Sequence, residues 1–377
     1  MRAGRGLDAG RDVRRHNLAL VLAEVVDAEP LSRAGIAART GLTRGTVSSL
    51  VEQLIDDGLL RELAPTRGTP GRPASPLQLN RSGPAGLGIE IGVDHVAACV
   101  VDLTGTVRAA GTVPSDHRSA PPAVALARAA ALAGAVRAEA GLPVDGAMVA
   151  VPGVVSSDGR LERAPNLPQW SGAGVADDLA ALLDGLPTRC GNEADLAALA
   201  ELWFGGAPPD FVHVSGGVGV GAGIVLDGRP YRGPGGRAGE LGHVVVDPAG
   251  PTCRCGGRGC LEQVAGEEAL LRAAAVPTVD ELLRRRTEPL PAAALAAAAR
   301  ALGVALTAAV NLLDVPAVVL GGIYPRFGDP LRDAVADELA ARVISRDDLT
   351  VHLSARGTGG ALRGAAAAVV RHRLRHP

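Results

Sequence analysis

A chain of 377 residues, 47% of them apolar, is too long for one ordinary core and apolar enough to fold, so two or three domains are expected. Aromatic residues make only 2%, leaving the cores to Ala, Val and Leu, and the 50 glycines and 27 prolines are scattered at turns, which excludes a collagen-like or disordered chain. The net charge is −2 and every basic side chain is Arg or His, so neither a P-loop lysine nor Schiff-base chemistry is available.

Residues 1–82 carry 12 arginines against nine acids, leaving the remainder acidic. A basic head on an acidic body suits nucleic-acid contact at one end, although charge alone fits chance variation in a short segment as well. Met1–Arg15 is charged and glycine-rich with no apolar stretch, so no export signal is expected. The chain is expected in the cytoplasm, with its five cysteines reduced or bound to metal.

Leu18, Val21, Leu22 and Val25 fall at i, i+3, i+4 and i+7, predicting an amphipathic helix ended by Pro30. Ser32 can cap a second helix through Thr40, Gly41 permits a sharp turn, and Thr43 can cap a third. That helix has a stripe of Val47, Leu50, Val51, Leu54 and Ile55, closed by Gly58. Short helix, glycine turn and longer helix make a helix-turn-helix. Its opposite face presents Thr43, Arg44, Ser48 and Ser49, small hydroxyls and a cation that can reach base edges and phosphates in a major groove; a merely solvated face is the alternative. Strands at Leu59–Leu63 and Leu77–Leu79 flank a Gly/Pro/Arg tip in which Arg67 and Arg72 are slim enough to enter a minor groove. A plain linker explains Arg67 nearly as well.

From Ala85 the pattern alternates. Strands are expected at Leu87–Val93, Val96–Val101, Met148–Val151, Phe211–Val214 and Val318–Leu320, with a tight turn at Asp94-His95 and another at Leu103–Gly105. Helices are expected near Ala123–Ala140 and Asp195–Leu202, and Ala292–Leu313 reads as a buried Ala-rich helix, not a membrane span. Glycines at strand ends predict an α/β body of two lobes around a cleft, without a fixed-period repeat.

His243, Cys253, Cys255 and Cys260 carry the strongest chemical signal. Three thiolates and one imidazole make a closed tetrahedral zinc site with no position for a reactive water, so its role is structural, pinning the loop Asp247–Gly259. Glu240 and Glu262 flank it. A sugar needs donors and acceptors held rigidly at several hydroxyls, and His243 can bind metal through one ring nitrogen while the other faces a hydroxyl.

Glu240-Leu241-Gly242-His243, the step to Cys253, then Cys255, Gly256, Gly257, Gly259, Cys260 and Glu262 resemble the signature of the ROK family of bacterial sugar-sensing repressors and sugar kinases. The helix-turn-helix and the Gly71-Arg72-Pro73 tip resemble its repressor branch, so the likeness covers nearly the whole chain. It implies an α/β, actin-like ATPase (sugar kinase-like) fold of two lobes behind a winged helix-turn-helix. The implied limits are residues 1–82 for the head and 83–377 for the body, with lobe one at 85–190 plus 361–377 and lobe two at 191–360. It also implies a sugar shell of Asn166, Asn192, Glu193, Glu240, His243 and Glu262, with Glu193 where kinases carry the catalytic base. For Asn166 and Asn192 taken alone, a turn or helix cap is the commoner role.

Kinase members open with Asp-Ile-Gly-Gly-Thr. Here Glu90-Ile91-Gly92-Val93-Asp94 replaces a glycine by bulky Val93 and the hydroxyl by an anion that repels phosphate. In the second glycine loop, Gly217–Gly223, Val218 stands where kinases place Thr. The expected protein is therefore no enzyme but a sugar-responsive repressor, dimeric or tetrameric, on a two-fold operator, with structural zinc and no membrane. An ATP-dependent sugar kinase with a fused DNA-binding head is the alternative, and a module answering to a partner protein is a third reading.

Overall fold

The computed structural model describes residues 4–64, 75–344 and 347–377. In the head, α1 (Gly4–Ala28) buries Leu18, Val21, Leu22 and Val25, the stripe its spacing predicts. Ser32 caps α2 (Arg33–Thr40) by accepting from Gly35 N at 3.1 Å, and Gly41 ends it at φ +71°, a conformation costly for any side chain. Thr43 caps α3 (Arg44–Asp56), which buries Val47, Leu50, Val51 and Leu54 while Ile55 is only half-buried. β1 (Leu60–Glu62) and β2 (Leu77–Leu79) pair antiparallel, so the two stems of a wing are present. Its expected tip, with Arg67 and Arg72, lies outside the described residues.

The body holds two five-stranded sheets built to one plan. In the first, β3 (Ala85–Ile91), β4 (His95–Val101) and β5 (Val107–Pro114) form an antiparallel meander. After α4 (Pro122–Ala140), β6 (Val144–Val151) runs parallel to β3. The small hairpin β7 (Val154–Val155) and β8 (Leu161–Arg163) and helix α5 (Val175–Leu182) follow, and β9 (Thr188–Asn192) then runs parallel to β6. Helix α6 (Glu193–Ala200) leads to the second sheet, where β10 (Phe211–Gly216), β11 (Val220–Leu226) and β12 (Arg229–Pro230) are antiparallel. Helices α7 (Glu262–Ala265), α8 (Glu267–Ala274), α9 (Val279–Arg284) and α10 (Pro289–Leu313) intervene before β13 (Ala317–Gly322). After α11 (Asp329–Ala340) comes β14 (Thr350–Leu353), and both last strands are parallel to β10 or to each other. The strand orders, β5-β4-β3-β6-β9 and β12-β11-β10-β13-β14, are the same path taken twice. The repeat is one of topology, which a search for a fixed sequence period cannot see.

α6 lies on the second sheet and α12 (Gly360–Arg375) on the first, and the two helices pack on each other. Glycines permit the close approach. A Cβ on Gly88 would stand 2.7 Å from Ala366 N of α12, and one on Gly223 would stand 2.6 Å from Ala198 Cβ of α6. The head is not an independent bead: Leu103 from the turn after β4, with Val370 and Leu374 of α12, completes its hydrophobic core. α10 is the one helix among the described residues long and apolar enough to cross a membrane. Half of its most apolar window is buried, and Ala298, Leu302, Leu306 and Val310 sit in the second lobe's core, as expected for a buried Ala-rich helix.

Several expected boundaries move. The first strand ends at Ile91, because Gly92 N donates to His95 O and closes the turn over Gly92–Asp94; His95 already begins β4. The helix expected over Asp195–Leu202 starts at Glu193, set by the Asn192 cap, and ends in a π-helical turn at Glu201–Gly205. Gly217–Gly223 is a loop only as far as Gly219; the rest is strand β11, where Gly221 and Gly223 serve α6 packing.

Candidate functional site

His243 ends the short helical turn Leu241–His243, and the three cysteines come from the loop that follows. One ligand atom from each of His243, Cys253, Cys255 and Cys260 lies within 4.8 Å of every other. Cys255 and Cys260 sulfurs stand 3.7 Å apart, and Cys253 Sγ is 3.8 Å from His243 Nδ1. A tetrahedron of metal–thiolate bonds of about 2.3 Å has edges of about 3.8 Å, so these two donor pairs stand at coordination spacing. The loop is held for this by Cys253 N donating to Gly257 O at 2.8 Å and by Gly259 at φ +70°, whose Cβ would stand 2.6 Å from Asp247 C. His243 Nε2 is turned toward Glu240, 3.9 Å from its carboxylate.

Beside the cluster, a cavity of about 410 Å³ opens between the lobes and is lined by Asn166, Asn192, Glu193, Glu240, His243 and Glu262. All six residues expected in the sugar shell meet there. Glu262, at the start of α7, is only 7% exposed, and its Oε2 accepts from Val220 N at 3.3 Å and from Asn166 Nδ2 at 3.4 Å. Those contacts need Gly219: a Cβ there would overlap Glu262 Oε2 and stand 2.9 Å from Asn166 Nδ2. Asn166 Oδ1 accepts from Arg254 Nη1 at 2.9 Å, so the amide is gripped from both ends. Asn192 is largely spent on structure. Its oxygen accepts from Ala194 N and Asp195 N, and its amide nitrogen donates to Gly153 O at 2.8 Å. Burial, and then the neighbouring Glu90 carboxylate, push the Glu193 carboxyl up to about 7. Burial likewise raises Glu240.

The same cavity is also lined by Glu90, Gly92, Val93, Asp94, His95, Gly217, Gly219 and Gly322. Val93, which stands where the kinase segment carries a glycine, is buried in the core of the first lobe, and the side chain that stands over Gly92 is His95. A Cβ on Gly92 would lie 2.6 Å from His95 Nδ1. That nitrogen is 2.8 Å from Asp94 Oδ1, and Nε2 is 3.5 Å from Glu90 Oε1. The hydrogen bonds from Asp94 and then Glu90 hold the imidazole pKa up at about 10, making it a cation at neutral pH. The glycine pair of β13 serves packing: Gly321 abuts the His213 ring, and Gly322, at φ +61°, abuts Gly216.

Sequence reasoning missed His95, Gly219 and Arg254. The Gly92–His95 hairpin register was the available signal for the first; the other two depend on contacts between distant segments. In the head, Thr43, Arg44 and Ser49 are exposed and Ser48 half-buried at the start of α3, on the face away from the core. The Thr43 hydroxyl is engaged as the cap, accepting from Thr46 N at 3.2 Å.

Residues 86–372 match the ROK family and residues 19–68 the MarR family. The chain is 30% identical over 268 residues to the xylose repressor of Bacillus subtilis, covering 69% of this chain and 68% of that one. It is 32% identical over 299 residues to the kanosamine kinase of Amycolatopsis mediterranei, covering 75% and 95%. A solved ROK family transcriptional regulator, a homologue of the Escherichia coli MLC protein, superposes with a TM-score of 0.81 at 25% identity over 97% of both chains.

Proposed function

Because the chain belongs to the ROK family, we propose that it is a sugar-responsive DNA-binding transcriptional regulator, a repressor released from its operator by a monosaccharide or sugar derivative. The observation that carries this reading is the joining of a MarR-like winged helix, through Leu103, Val370 and Leu374, to a body whose cavity gathers Asn166, Glu193, Glu240, His243 and Glu262. We take residues 1–82 as the head and 83–377 as the body, with lobe one at 85–190 plus 361–377 and lobe two at 191–360.

The metal is proposed to be zinc, held by His243, Cys253, Cys255 and Cys260. The thiolate-rich set and the spacing of its donors suit that ion, and four protein ligands leave it no open position, so it supplies rigidity rather than chemistry. His243 and the loop-bound Arg254 carry that rigidity to Glu240 and Asn166.

DNA reading falls to Thr43, Arg44, Ser48 and Ser49 on α3 and to Arg67 and Arg72 in the wing. In a homodimer, or a homotetramer of two such pairs, the paired α3 helices suit a two-fold operator in the cytoplasm. Sugar that prefers one arrangement of the lobes shifts the spacing of the heads and so lowers DNA affinity.

The similarity to a kinase over 95% of that enzyme keeps ATP-dependent sugar phosphorylation as the second reading. Against it stand the His95 ring over Gly92 and the Glu90 and Asp94 carboxylates where nucleotide phosphate must approach. The test is a titration of fluorescent duplexes selected by the protein from a random-sequence pool, with a panel of pentoses and hexoses added. Release by at least one sugar, and loss of duplex binding in Arg44→Ala, are expected. Duplex binding unmoved by every sugar, together with sugar-dependent ATP turnover, would replace this reading with the second.

A further inference from the structure

The head meets the body around a cavity of about 180 Å³ that shares no lining residue with the interlobe cavity. Val26 and Leu79 line it from the head, Leu103 from the turn after β4, Phe204 from the π-helical turn and Val370 from α12. Into this apolar wall comes the half-buried guanidinium of Arg371, stacked over the Trp203 ring at 5.6 Å.

Arg371 has no carboxylate to hold. Among the described residues none stands within ion-pair distance of it, whereas Arg373, two residues on, reaches Asp145 at 3.1 Å. Two charges act on it from further off: Arg375 repels it, and Asp27 attracts it without a hydrogen bond. Burial, and then Arg375, pull its pKa below the usual guanidinium range, as befits a cation short of compensation. Other polar groups of the wall are occupied. Glu29 Oε2 accepts from Leu79 N at 2.8 Å, and the Thr104 hydroxyl donates to Asp102 at 2.6 Å.

We propose that this junction is a second effector site, for a monocarboxylate with a compact apolar body. The carboxylate pairs with Arg371, and the body fills the space between Leu79, Leu103 and Phe204. A guanidinium presents parallel N–H donors that match a carboxylate in bidentate geometry. The size fits as well: an apolar cavity of roughly 150 Å³ takes up one benzene ring, so a body of about six carbons is accommodated. One guanidinium, with the Glu29 carboxylate in the same wall, suits a single negative charge and not a phosphate dianion. An occupant touches head and body at once. It therefore holds the two in their present arrangement and takes up the open volume that a shift of α12 would need. Binding here requires no sugar in the interlobe cavity.

The test is calorimetric titration of the full chain with isovalerate, hexanoate and cyclohexanecarboxylate, each against its own amide, with acetate as the carboxylate lacking an apolar body. At least one of the three acids is expected to bind with a Kd below about 1 mM. It should bind about tenfold or more tighter than its amide and than acetate. Arg371→Gln, checked for folding by thermal melting, is expected to erase the preference for acid over amide. Hydrogen exchange of the parent protein locates the ligand without any variant: the bound acid is expected to slow exchange in residues 101–105 and 367–374 and to leave the loop Asp247–Gly259 unchanged. No saturable binding of any of the three acids up to about 10 mM overturns the site. Acids and amides binding alike overturn the carboxylate class. Full acid affinity in Arg371→Gln, or protection that falls elsewhere in the chain, overturns the placement at the junction.

Discussion

Gly219→Ala tests the construction of the pocket through one added methyl group. Gly219 does not occupy the left-handed region, so alanine suits the backbone and the consequence is local. The new Cβ would overlap Glu262 Oε2 and stand 2.9 Å from Asn166 Nδ2, so the carboxylate must swing away. Doing so breaks its bonds from Val220 N at 3.3 Å and Asn166 Nδ2 at 3.4 Å. A hydrogen bond to a charged group contributes about 1.5–3 kcal/mol, and both acceptor positions are displaced together rather than independently. We therefore expect a loss of about 1.5–3 kcal/mol in sugar binding, about 10- to 150-fold in Kd. Thermal stability should fall less, because alanine restrains the unfolded chain and offsets about 0.4–1 kcal/mol. The assay is calorimetric titration with the sugar that binds the parent protein, alongside a thermal melt. A Kd within twofold of the parent would refute the claim that the missing side chain at 219 lets Asn166 and Glu262 meet.

Cys255→Ser should lower bound metal below one equivalent by elemental analysis and weaken sugar binding in the same preparation, because the loop carrying Arg254 to Asn166 loses its anchor. Glu193→Gln should stabilise the protein above neutrality. Burial and Glu90 hold this carboxyl up at about 7, so below the ordinary carboxylate range both folded and unfolded chains are protonated and no penalty exists. As pH rises through about 4.5 to 7 the unfolded chain ionises first and folding loses stability, so the variant should gain about 3 kcal/mol at pH 8 and nothing at pH 4. Equal melting differences at both pH values would count against that sign. Trp203→Ala, beneath the Arg371 guanidinium at 5.6 Å, should leave sugar affinity and sugar-free DNA affinity near parental while shrinking the sugar-induced loss of DNA binding. An unchanged response would remove the π-helical turn from the coupling route.

Legibility followed the range of the interactions. The head could be read because caps and stripes act within one or two turns: Ser32, Gly41 and Thr43 sit where their own chemistry puts them. The metal cluster could be read because three of its donors fall within eight residues, which fixes their approach almost without regard to the fold. Asn166, Asn192 and Glu193 carry no local signal of that kind, and only the family likeness pointed to them as sugar ligands, whereas Glu240 was marked by its place beside the metal ligands. β9 was invisible because Thr-Arg-Cys-Gly-Asn has little strand character and is made a strand by pairing with β6. β11 was mistaken for loop because its glycines answer the backbone of α6, a partner the sequence does not name. His95 failed similarly: its place over Gly92 is a property of hairpin register, not of the residue.

The coupling of cavity to head is a question of which solid parts join them. α6 begins at the cavity with Asn192 and Glu193 and ends in the π-helical turn Glu201–Gly205, a form rare in proteins and frequent at functional positions. From that turn Phe204 abuts Gly105, whose neighbour Leu103 belongs to the head's core, and Trp203 lies under Arg371 of α12, one residue from Val370 in that same core. A second cavity, of about 180 Å³, lies at this junction and is lined by Val26 and Glu29 of the head region, Leu103, Trp203 and Arg371. Its open volume matters, because a fully packed joint would resist the small shifts that a lobe rotation delivers. On the sugar side, second-lobe arginines hold the first-lobe hairpin: Arg237 grips Glu162 with two bonds of 2.7 Å, and Arg232 donates to Val155 O at 2.9 Å. A ligand that changes how the lobes meet must therefore move α6 and α12 together as a rigid pair, since glycine-mediated contact at Gly364 and Leu196 leaves no slack between them. The head, sharing its core with α12, has to follow.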